Sequence, residues 1–593
     1  MSLIVQKFGG TSVADSQKIL AAARKAIRAQ QEGHQVVMVV SAMGARTDQL
    51  VALAAELSDE PPAREMDMLL STGEQVSVAL MAMAVDSLGA KGISLTGAQI
   101  GIQTDSSHTK ARIKAISTER IQRLLGEGNI VIAAGFQGID EDFNITTLGR
   151  GGSDTTAVAL AAVLGANQCE IYTDVDGVYT TDPRVMPEAR CISHISYEEM
   201  LELASLGAGV MHSRAVEFGK KFGVPIHVRN SFTDITGSLI VSQPEVDGLP
   251  VSGAAMTKNE ARVTLLGVPD VPGSSLAIFS RLADQAITVD MIVQNVGIDG
   301  KADISFTVLE SDLESTLEAV EDAKQALDIE QITHDSEVAK ISVVGLGMAE
   351  QIGVANKMFR SLSQAEVNIQ MITTSEIKIS VLVDRKSALT ALRAVHQEFQ
   401  LEKPPWDEKP VLPEICQPPQ NALEVVKRLQ VVGMEDLTID TVELDDDQAR
   451  ITILGVPDRP GVASDIFDRV AHENVFVDMI VQSYDGNEGT TSLSFTIPKE
   501  HLTLALKIAN KICQEFDCAT IQHSETISKL SVSGLGLRSH TDVAIRMFQS
   551  LFKANLNVSM VSTSEVRVNV VIEGDKGQIG LRSLQEAFAD VLR

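Results

Sequence analysis

The sequence predicts an α/β domain with a largely parallel sheet, followed by a tandem of four small α+β repeats in two pairs. Three observations carry that prediction. As far as Ser242, strand-like runs alternate with amphipathic helical stretches; from Arg262 onward, blocks of sequence return at a constant spacing; and a Pro-rich stretch at 402–420 divides the repeating part in two. Alternation of this kind belongs to parallel strands joined by crossover helices. A fixed period marks repeated structural units.

The elements follow in order. IVQKF is a strand that ends on Lys7 and the paired glycines Gly9 and Gly10. DSQKILAAARKAIRAQ comes next, with Ile19, Ala22, Ala26 and Ile27 at helical spacing. VVMVVSA, NIVIAAGF and CEIYTDV are further strand-like runs. TTAVALAAVLGA is an apolar helix expected to be capped by Ser153 or Asp154 and to stop near Gly165. Then the repeats begin. RVTLLGVPDVPG at 262–273 returns as RITILGVPDRPG at 450–461, and VDMIVQ at 289–294 returns at 477–482, a shift of 188 from Asp270 to Asp458. KISVVGLGM and NIQMITTSEIKISVLV return as KLSVSGLGL and NVSMVSTSEVRVNVVI, a shift of 189 from Lys340 to Lys529. Each repeat reads strand, helix, strand, strand, helix, strand, a small antiparallel sheet with helices on one face. EKPPWDEKPVLPEICQPPQ reads as a linker. The boundaries expected are 1–245 for the α/β domain, 246–335 and 336–400 for the first two repeats, 401–433 for the linker, and 434–524 and 525–593 for the last two.

Composition narrows the classes. A chain of 593 residues, 44% hydrophobic with mean hydropathy +0.09, is globular and long enough for several cores. A net charge of −29 argues against a nucleic-acid-binding surface, which needs clustered cations. An anionic substrate must therefore be held by a few local cations. Cys169, Cys191, Cys416, Cys513 and Cys518 form no CxxC pair, so neither a disulfide framework nor a zinc site is expected, and a reducing cytoplasm fits. The chain opens on a strand rather than a leader, and no apolar run looks long enough to cross a bilayer, so neither secretion nor membrane insertion is expected.

Several stretches carry candidate chemistry. A strand ending in Lys7, Gly9 and Gly10 lets main-chain amides approach an anion, although the residues alone fit an ordinary tight turn equally well. It matches neither the GxxxxGK[ST] loop nor the GxGxxG fingerprint. In GRGGSD, helix capping accounts for Ser153 and Asp154 but not for Arg150, whose planar fork suits a carboxylate. YTDVDGVYTTDPR is a strand entering a Gly-containing turn, and its acidic residues also suit a merely solvated loop. VVGLGMAEQ and SVSGLGLRSH have Glu350 and Ser539 in place of a third glycine, inside a repeat too short for a dinucleotide domain. His212, in VMHSRA, reads as a partly exposed helical residue.

Taken together, KFGGTSV, VVSAMG at 39–44, STGEQ at 71–75, TTLGRGGSDTTA at 146–157 and YTDVDGVYTTDPR at 172–184 resemble the aspartokinases of the amino acid kinase superfamily. GVPDxPG, with NI or NV followed by TSE, resembles the ACT domains that family carries. The resemblance covers nearly the whole chain. It implies an amino acid kinase-like sandwich followed by four ferredoxin-like ACT units in two pairs. It also implies ATP-dependent phosphorylation of the β-carboxylate of aspartate, the first step towards lysine, threonine and methionine.

Residue by residue, the resemblance places Lys7 and Asp154 in catalysis. Aspartate falls to Ser41, Thr47, Glu74, Phe136, Arg150, Gly151, Gly152 and Ser153, with Arg150 on the α-carboxylate and Glu74 on the ammonium. The nucleotide falls to Lys7, Phe8, Gly9, Gly10, Thr173, Asp174, Tyr179 and Arg184. Mg2+ arrives with ATP rather than in an all-protein cage. Phosphoryl transfer needs charge neutralised on the moving group, and an attacking carboxylate is already ionised at neutral pH, so no general base is required. Lysine and threonine are the implied effectors. The expected contacts are Asp270, Gln294 and Asn295 with Asn368 across the first pair, and Asp458, Gln482 and Asn557 in the second; Ser483 stands where Asn295 repeats. A homo-oligomer, a dimer through the ACT units, is expected. One departure is Gly209, where relatives carry an ATP-contacting lysine. Two other readings remain: a kinase for another acidic amino acid, and a catalytically silent amino-acid sensor.

Overall fold

The computed structural model describes residues 2–207, 210–243, 250–296, 300–404, 434–484, 489–537 and 542–592. Gly209, Cys416 and most of the expected linker lie outside the described residues, as does the side chain of Asn295. The described chain forms two compact bodies. An α/β body holds residues 2–179, 191–243 and 434–436; a repeat body holds 180–190, 250–404 and 437–592.

The α/β body contains twelve strands: β1 Leu3–Phe8, β2 Gln35–Val40, β3 Gly92–Leu95, β4 Ile102–Thr104, β5 Ile113–Ile116, β6 Ile130–Ala134, β7 Gln137–Ile139, β8 Ile145–Thr147, β9 Gln168–Thr173, β10 His194–Ser196, β11 Ile226–Asn230 and β12 Ser238–Val241. Eight form the main sheet in the order β10-β12-β11-β9-β1-β2-β6-β3. Every pair is parallel except β11 with β12. A smaller sheet runs β5-β4-β7-β8. Both faces of the main sheet are covered, which is why its central strands are near-continuous apolar runs rather than alternating ones.

The helices of this body are α1 Ser16–Gln31, α2 Arg46–Ala55, α3 Ala63–Ser87, α4 Gly97–Ile100, α5 Glu119–Gly126, α6 Gly152–Leu164, α7 Tyr197–Ser205 and α8 Ser213–Phe222. On one face α1 and α3 pack against Phe8, Met38, Val40 and Ile132. On the other, α6 lies against β1, β2 and β9 with α8 beside it. Asp15 caps α1 by accepting from Lys18 N at 2.9 Å.

Two expectations change here. The cap of α6 is neither Ser153 nor Asp154 but Gly151, left-handed at φ 70°; the two residues sit inside the first turn, where Asp154 pairs with Lys7. The helix does end at Gly165, φ 63°. And α3 is, among the described residues, a helix long and apolar enough to cross a bilayer by length and composition, contrary to the reading of the sequence. It is a core helix, with Asp67, Ser71, Glu74 and Ser77 buried along it.

The repeat body is one twelve-stranded sheet, continuing as β13 Gly253–Pro269, β14 Val289–Val296, β15 Lys301–Leu309, β16 Gln331–Val344, β17 Met371–Thr374, β18 Lys378–Asp384, β19 Thr438–Pro457, β20 Ile480–Tyr484, β21 Thr490–Pro498, β22 Thr520–Leu535, β23 Val558–Thr563 and β24 Arg567–Glu573. Its order is β14-β15-β13-β16-β18-β17-β20-β21-β19-β22-β24-β23. Repeats one and three show the expected order of six elements. Repeats two and four do not: among the described residues no strand follows their second helix. Instead the start of β13, Gly253–Thr257, pairs with Lys340–Val344, and the start of β19 pairs with Lys529–Leu535. One long strand thus serves two repeats, and each repeat keeps four strands.

The repeats also associate across the two halves of the sequence. β17 of repeat two pairs with β20 of repeat three through Ile372 and Gln482. One core joins repeats two and three, with Phe359 and Phe467 at 5.6 Å between ring centroids; another joins repeats one and four, with Phe279 and Phe548 at 5.8 Å.

Candidate functional site

The C-terminal ends of β1, β2 and β6 meet the N-terminus of α6 and the middle of α3, the end of a parallel sheet where ligands are received. Lys7, near the end of β1, directs its ammonium to Asp154 Oδ1 at 2.5 Å. It also lies over Gly9, where an added Cβ would stand 3.6 Å from Nζ. A Cβ on Gly10 would fall 2.8 Å from Ala42 O, so only glycine lets the turn after β1 close on the turn after β2. Ser41 N donates to Phe8 O at 3.1 Å and Gly44 N to Gly10 O at 3.0 Å, which fixes that pair of turns. Thr47 lies in the first turn of α2.

Glu74 enters from α3. The residue is 3% exposed; Oε1 accepts from Ala42 N at 3.0 Å, while Oε2 is buried without a partner. Burial pushes its pKa up to about 7, the hydrogen bond from Ala42 opposing the rise. A buried carboxylate with one vacant oxygen favours a cationic group brought in by a ligand.

The α6 side of the site rests on special backbone. Phe136 is left-handed (φ 70°) and donates its N–H to Thr156 Oγ1 at 3.2 Å. Gly152 packs against Phe136 and Leu148, and Ser153 against Gly135. Gly149 and Gly151 also have positive φ, 76° and 70°, and carry exposed Arg150 between them. A Cβ on Gly151 would sit 2.2 Å from that of His212. His212 is the N-cap of α8 rather than a helical residue, and half-buried. Its pKa is lowered, mainly by burial and then by Arg214; Asp154 and Arg150 also act on it, in opposite senses. The charges of Arg150 and Asp154 therefore share one neighbourhood.

The nucleotide candidates divide. Phe8 stacks on Tyr172 at 4.7 Å between centroids, and Thr173 at the end of β9 hydrogen-bonds Asp174 at 3.3 Å. Tyr179 donates to Asp176 Oδ2 at 3.4 Å, and its pKa is raised by burial and by that carboxylate. Arg184 falls in the repeat body, where its exposed guanidinium pairs with Asp182 at 2.8 Å. Among the described residues no group of three or more His, Cys, Asp or Glu is arranged to hold a metal ion.

In the repeat body the effector candidates group differently from the sequence reading. Asn368 is not across from Gln294: it donates to Asp458 Oδ1 at 2.8 Å, beside Gln482, which donates to Ile369 O at 3.0 Å. Asn557 donates to Asp270 Oδ1 at 2.7 Å, and Gln294 donates to Val558 O at 2.7 Å. Each cluster is built from both halves of the sequence because the repeats associate crosswise. Two clefts were missed. One, about 310 Å³, is lined by Thr374, Ser375, Glu376, Asp478 and Lys529; its counterpart, about 90 Å³, by Asp290, Thr563, Ser564 and Glu565. The signal was available, since the TSE triplets and the VDMIVQ aspartates repeat together. Their charge differs: buried Lys340 pairs with both Glu260 and Asp290, whereas Lys529 pairs with Asp478 and has Gln448 where Glu260 would repeat.

Comparison with known proteins adds to this geometry. A sequence profile of the amino acid kinase family matches residues 2–230. ACT domain profiles match residues 262–328, 341–399, 451–512 and 530–588. Aspartokinase 2 of Bacillus subtilis (strain 168) is 50% identical over 406 residues, 68% of this chain and 99% of that protein. Among solved structures, the aspartate kinase from Synechocystis shares 39% identity and a TM-score of 0.52 over 99% of this chain and 98% of that one. E. coli aspartokinase III in complex with lysine and aspartate (T-state) shares 25% identity and a TM-score of 0.53 over 67% of this chain and 99% of that one.

Proposed function

The chain belongs to the aspartokinase family, and on that premise we propose that its α/β body transfers the terminal phosphoryl group of ATP to the side-chain carboxylate of aspartate. The observation that carries this reading is Glu74: a buried carboxylate with an oxygen left over, at the same end of the sheet as Lys7. It offers the substrate ammonium a partner. Arg150 takes the α-carboxylate, and Ser41, Thr47, Phe136, Gly151, Gly152 and Ser153 line the remainder of the aspartate site.

That arrangement leaves the β-carboxylate facing the phosphoryl group. Lys7, oriented by Asp154, lies where negative charge builds on the moving group, and the amides of Gly9 and Gly10 are beside it. An ionised carboxylate oxygen attacks phosphorus as the bond to ADP breaks, with no proton to remove. Thr173, Asp174 and Tyr179 are the nucleotide contacts of the α/β body; Arg184 is kept as a nucleotide candidate on sequence alone. Mg2+ enters on the phosphates.

We assign regulation to the four ACT units of the repeat body. Asp270, Gln294 and Asn557 form one effector mouth and Asp458, Gln482 and Asn368 the other; lysine and threonine are the ligands proposed. Asn295 is kept as a candidate on sequence alone. A homodimer through the ACT units and a cytoplasmic location complete the reading.

A coupled hydroxamate assay with aspartate, glutamate and N-acetylglutamate tests the substrate. Turnover confined to aspartate is expected, and a preference for glutamate overturns the assignment. Binding of lysine or threonine with no ADP formed would favour a silent sensor instead.

A further inference from the structure

The short stretch that precedes β19 is packed into the α/β body, although the strand it leads into belongs to the repeats. Met434 N donates to Lys114 O at 3.3 Å, and Lys221 Nζ donates to Asp436 O at 2.9 Å. Between them, Glu435 turns both carboxylate oxygens to Arg214 Nη2, at 2.9 and 2.6 Å. The pair is largely buried, with 16% of the arginine side chain and 9% of the glutamate exposed.

Arg214 also donates to backbone. Nη1 reaches Leu148 O, and Nη2 reaches Ala111 O at 3.0 Å. Leu148 is fully buried, two residues before Arg150, at the point where the chain leaves β8 for the left-handed Gly149. The strand that enters this turn is also tied down. Asp67 accepts from Thr147 Oγ1 at 2.5 Å and Thr109 N at 3.0 Å, and Ala111 N donates to Thr147 O at 2.9 Å. Arg150 itself is exposed, and the left-handed Gly149 and Gly151 on either side fix where its backbone stands. A buried guanidinium bonded only to carbonyls keeps an uncompensated charge. Glu435 supplies the compensation that lets Arg214 stay on Leu148.

We propose that Glu435 is a positioning residue for the aspartate site, acting through Arg214 on the Leu148–Gly151 turn that carries Arg150. The residue comes from the segment leading into the third repeat, so the second half of the chain contributes to holding substrate. This rests on the reading of Arg150 as the group that binds the α-carboxylate.

The test is steady-state kinetics on the full chain with Glu435→Gln, Arg214→Lys, Arg150→Ala and the Glu435→Gln/Arg150→Ala pair. Expected is a rise of about tenfold in KM for aspartate with Glu435→Gln, since hydrogen bonds to charged groups have about that weight. KM for ATP should stay within about twofold, and Glu435→Gln should add nothing once Arg150 is gone, because residues acting as one unit are non-additive. Arg214→Lys, which keeps the charge but loses the fork, should repeat the aspartate effect and guards against a Glu435 variant that does not fold. The proposal is overturned if KM for both substrates rises together, if only thermal stability changes, or if the two effects add in full. An Arg150→Ala enzyme with unchanged KM for aspartate would instead refute the reading of Arg150 on which the proposal stands.

Discussion

Glu74 ties the chemistry of the site to a measurable pH dependence of stability. In the folded, ligand-free chain its pKa is about 7, against 4.5 for an exposed glutamate. A carboxylate whose pKa is raised on folding holds its proton more tightly in the native state. Its contribution is therefore complete below about pH 4.5, falls as pH rises to about 7, and is constant above. At about 1.4 kcal/mol per pH unit the loss is about 3 kcal/mol. Glu74→Gln removes the titration; the amide leaves a constant offset from its own unpartnered N–H. Titrations elsewhere in the α/β body are common to both proteins and cancel. The melting temperature of the variant relative to wild type, followed through the α/β-body transition without ligand, should rise by about 5–10 °C between pH 5 and pH 8 for a domain of this size. In the same variant, binding of aspartate should fall by at least tenfold at pH 8, where wild-type Glu74 is charged. A difference in melting temperature that is the same at both pH values would refute the buried, vacant carboxylate and the role built on it.

Other expectations follow from the same geometry. Lys7 is only 12% exposed and paired with Asp154, so Lys7→Ala strands a buried carboxylate, costing about 1–3 kcal/mol along with nearly all turnover. Adding Asp154→Asn should restore the melting temperature in a thermal scan but not the hydroxamate signal. Gly151→Ala places a methyl group 2.2 Å from His212 Cβ at a left-handed residue, and activity should fall by at least tenfold, with circular dichroism showing the fold retained. Lysine or threonine at a hundredfold excess over its dissociation constant should stabilise the repeat body by about 2.7 kcal/mol in calorimetry. Asn557→Ala should weaken the mouth containing Asp270 and leave that of Asp458 unchanged, which titration calorimetry resolves.

The legible part of the sequence was its local physics. Strand ends, the apolar period of α1 and the stop of α6 at Gly165 are set by neighbours along the chain. So is the run of small residues that lets β1 and β2 close on each other at Gly10 and Ala42. What sequence did not disclose depends on distant partners. Ser153 and Asp154 look like caps until Lys7, nearly 150 residues earlier, is seen to occupy Asp154. The ordering of Asn368 with Asp458 rather than Gln294 requires knowing that repeats two and three lie side by side, which a period cannot tell. His212 reads as an ordinary helical residue because its role is steric, beneath a glycine, rather than ionic. Asp67 and Glu74 break the apolar length of α3 in the sequence, yet both are buried on partners elsewhere in the body.

The long strands β13 and β19 tie neighbouring repeats into single cooperative blocks, and the blocks are then laced together by β17 with β20. A chain cut at residue 404 would keep its first two repeats whole yet lose the flank that each one leans on. To recover that shelter it would have to recruit another copy of itself. The intact chain carries its companion covalently attached, so the assembly of its regulatory sheet does not depend on dilution.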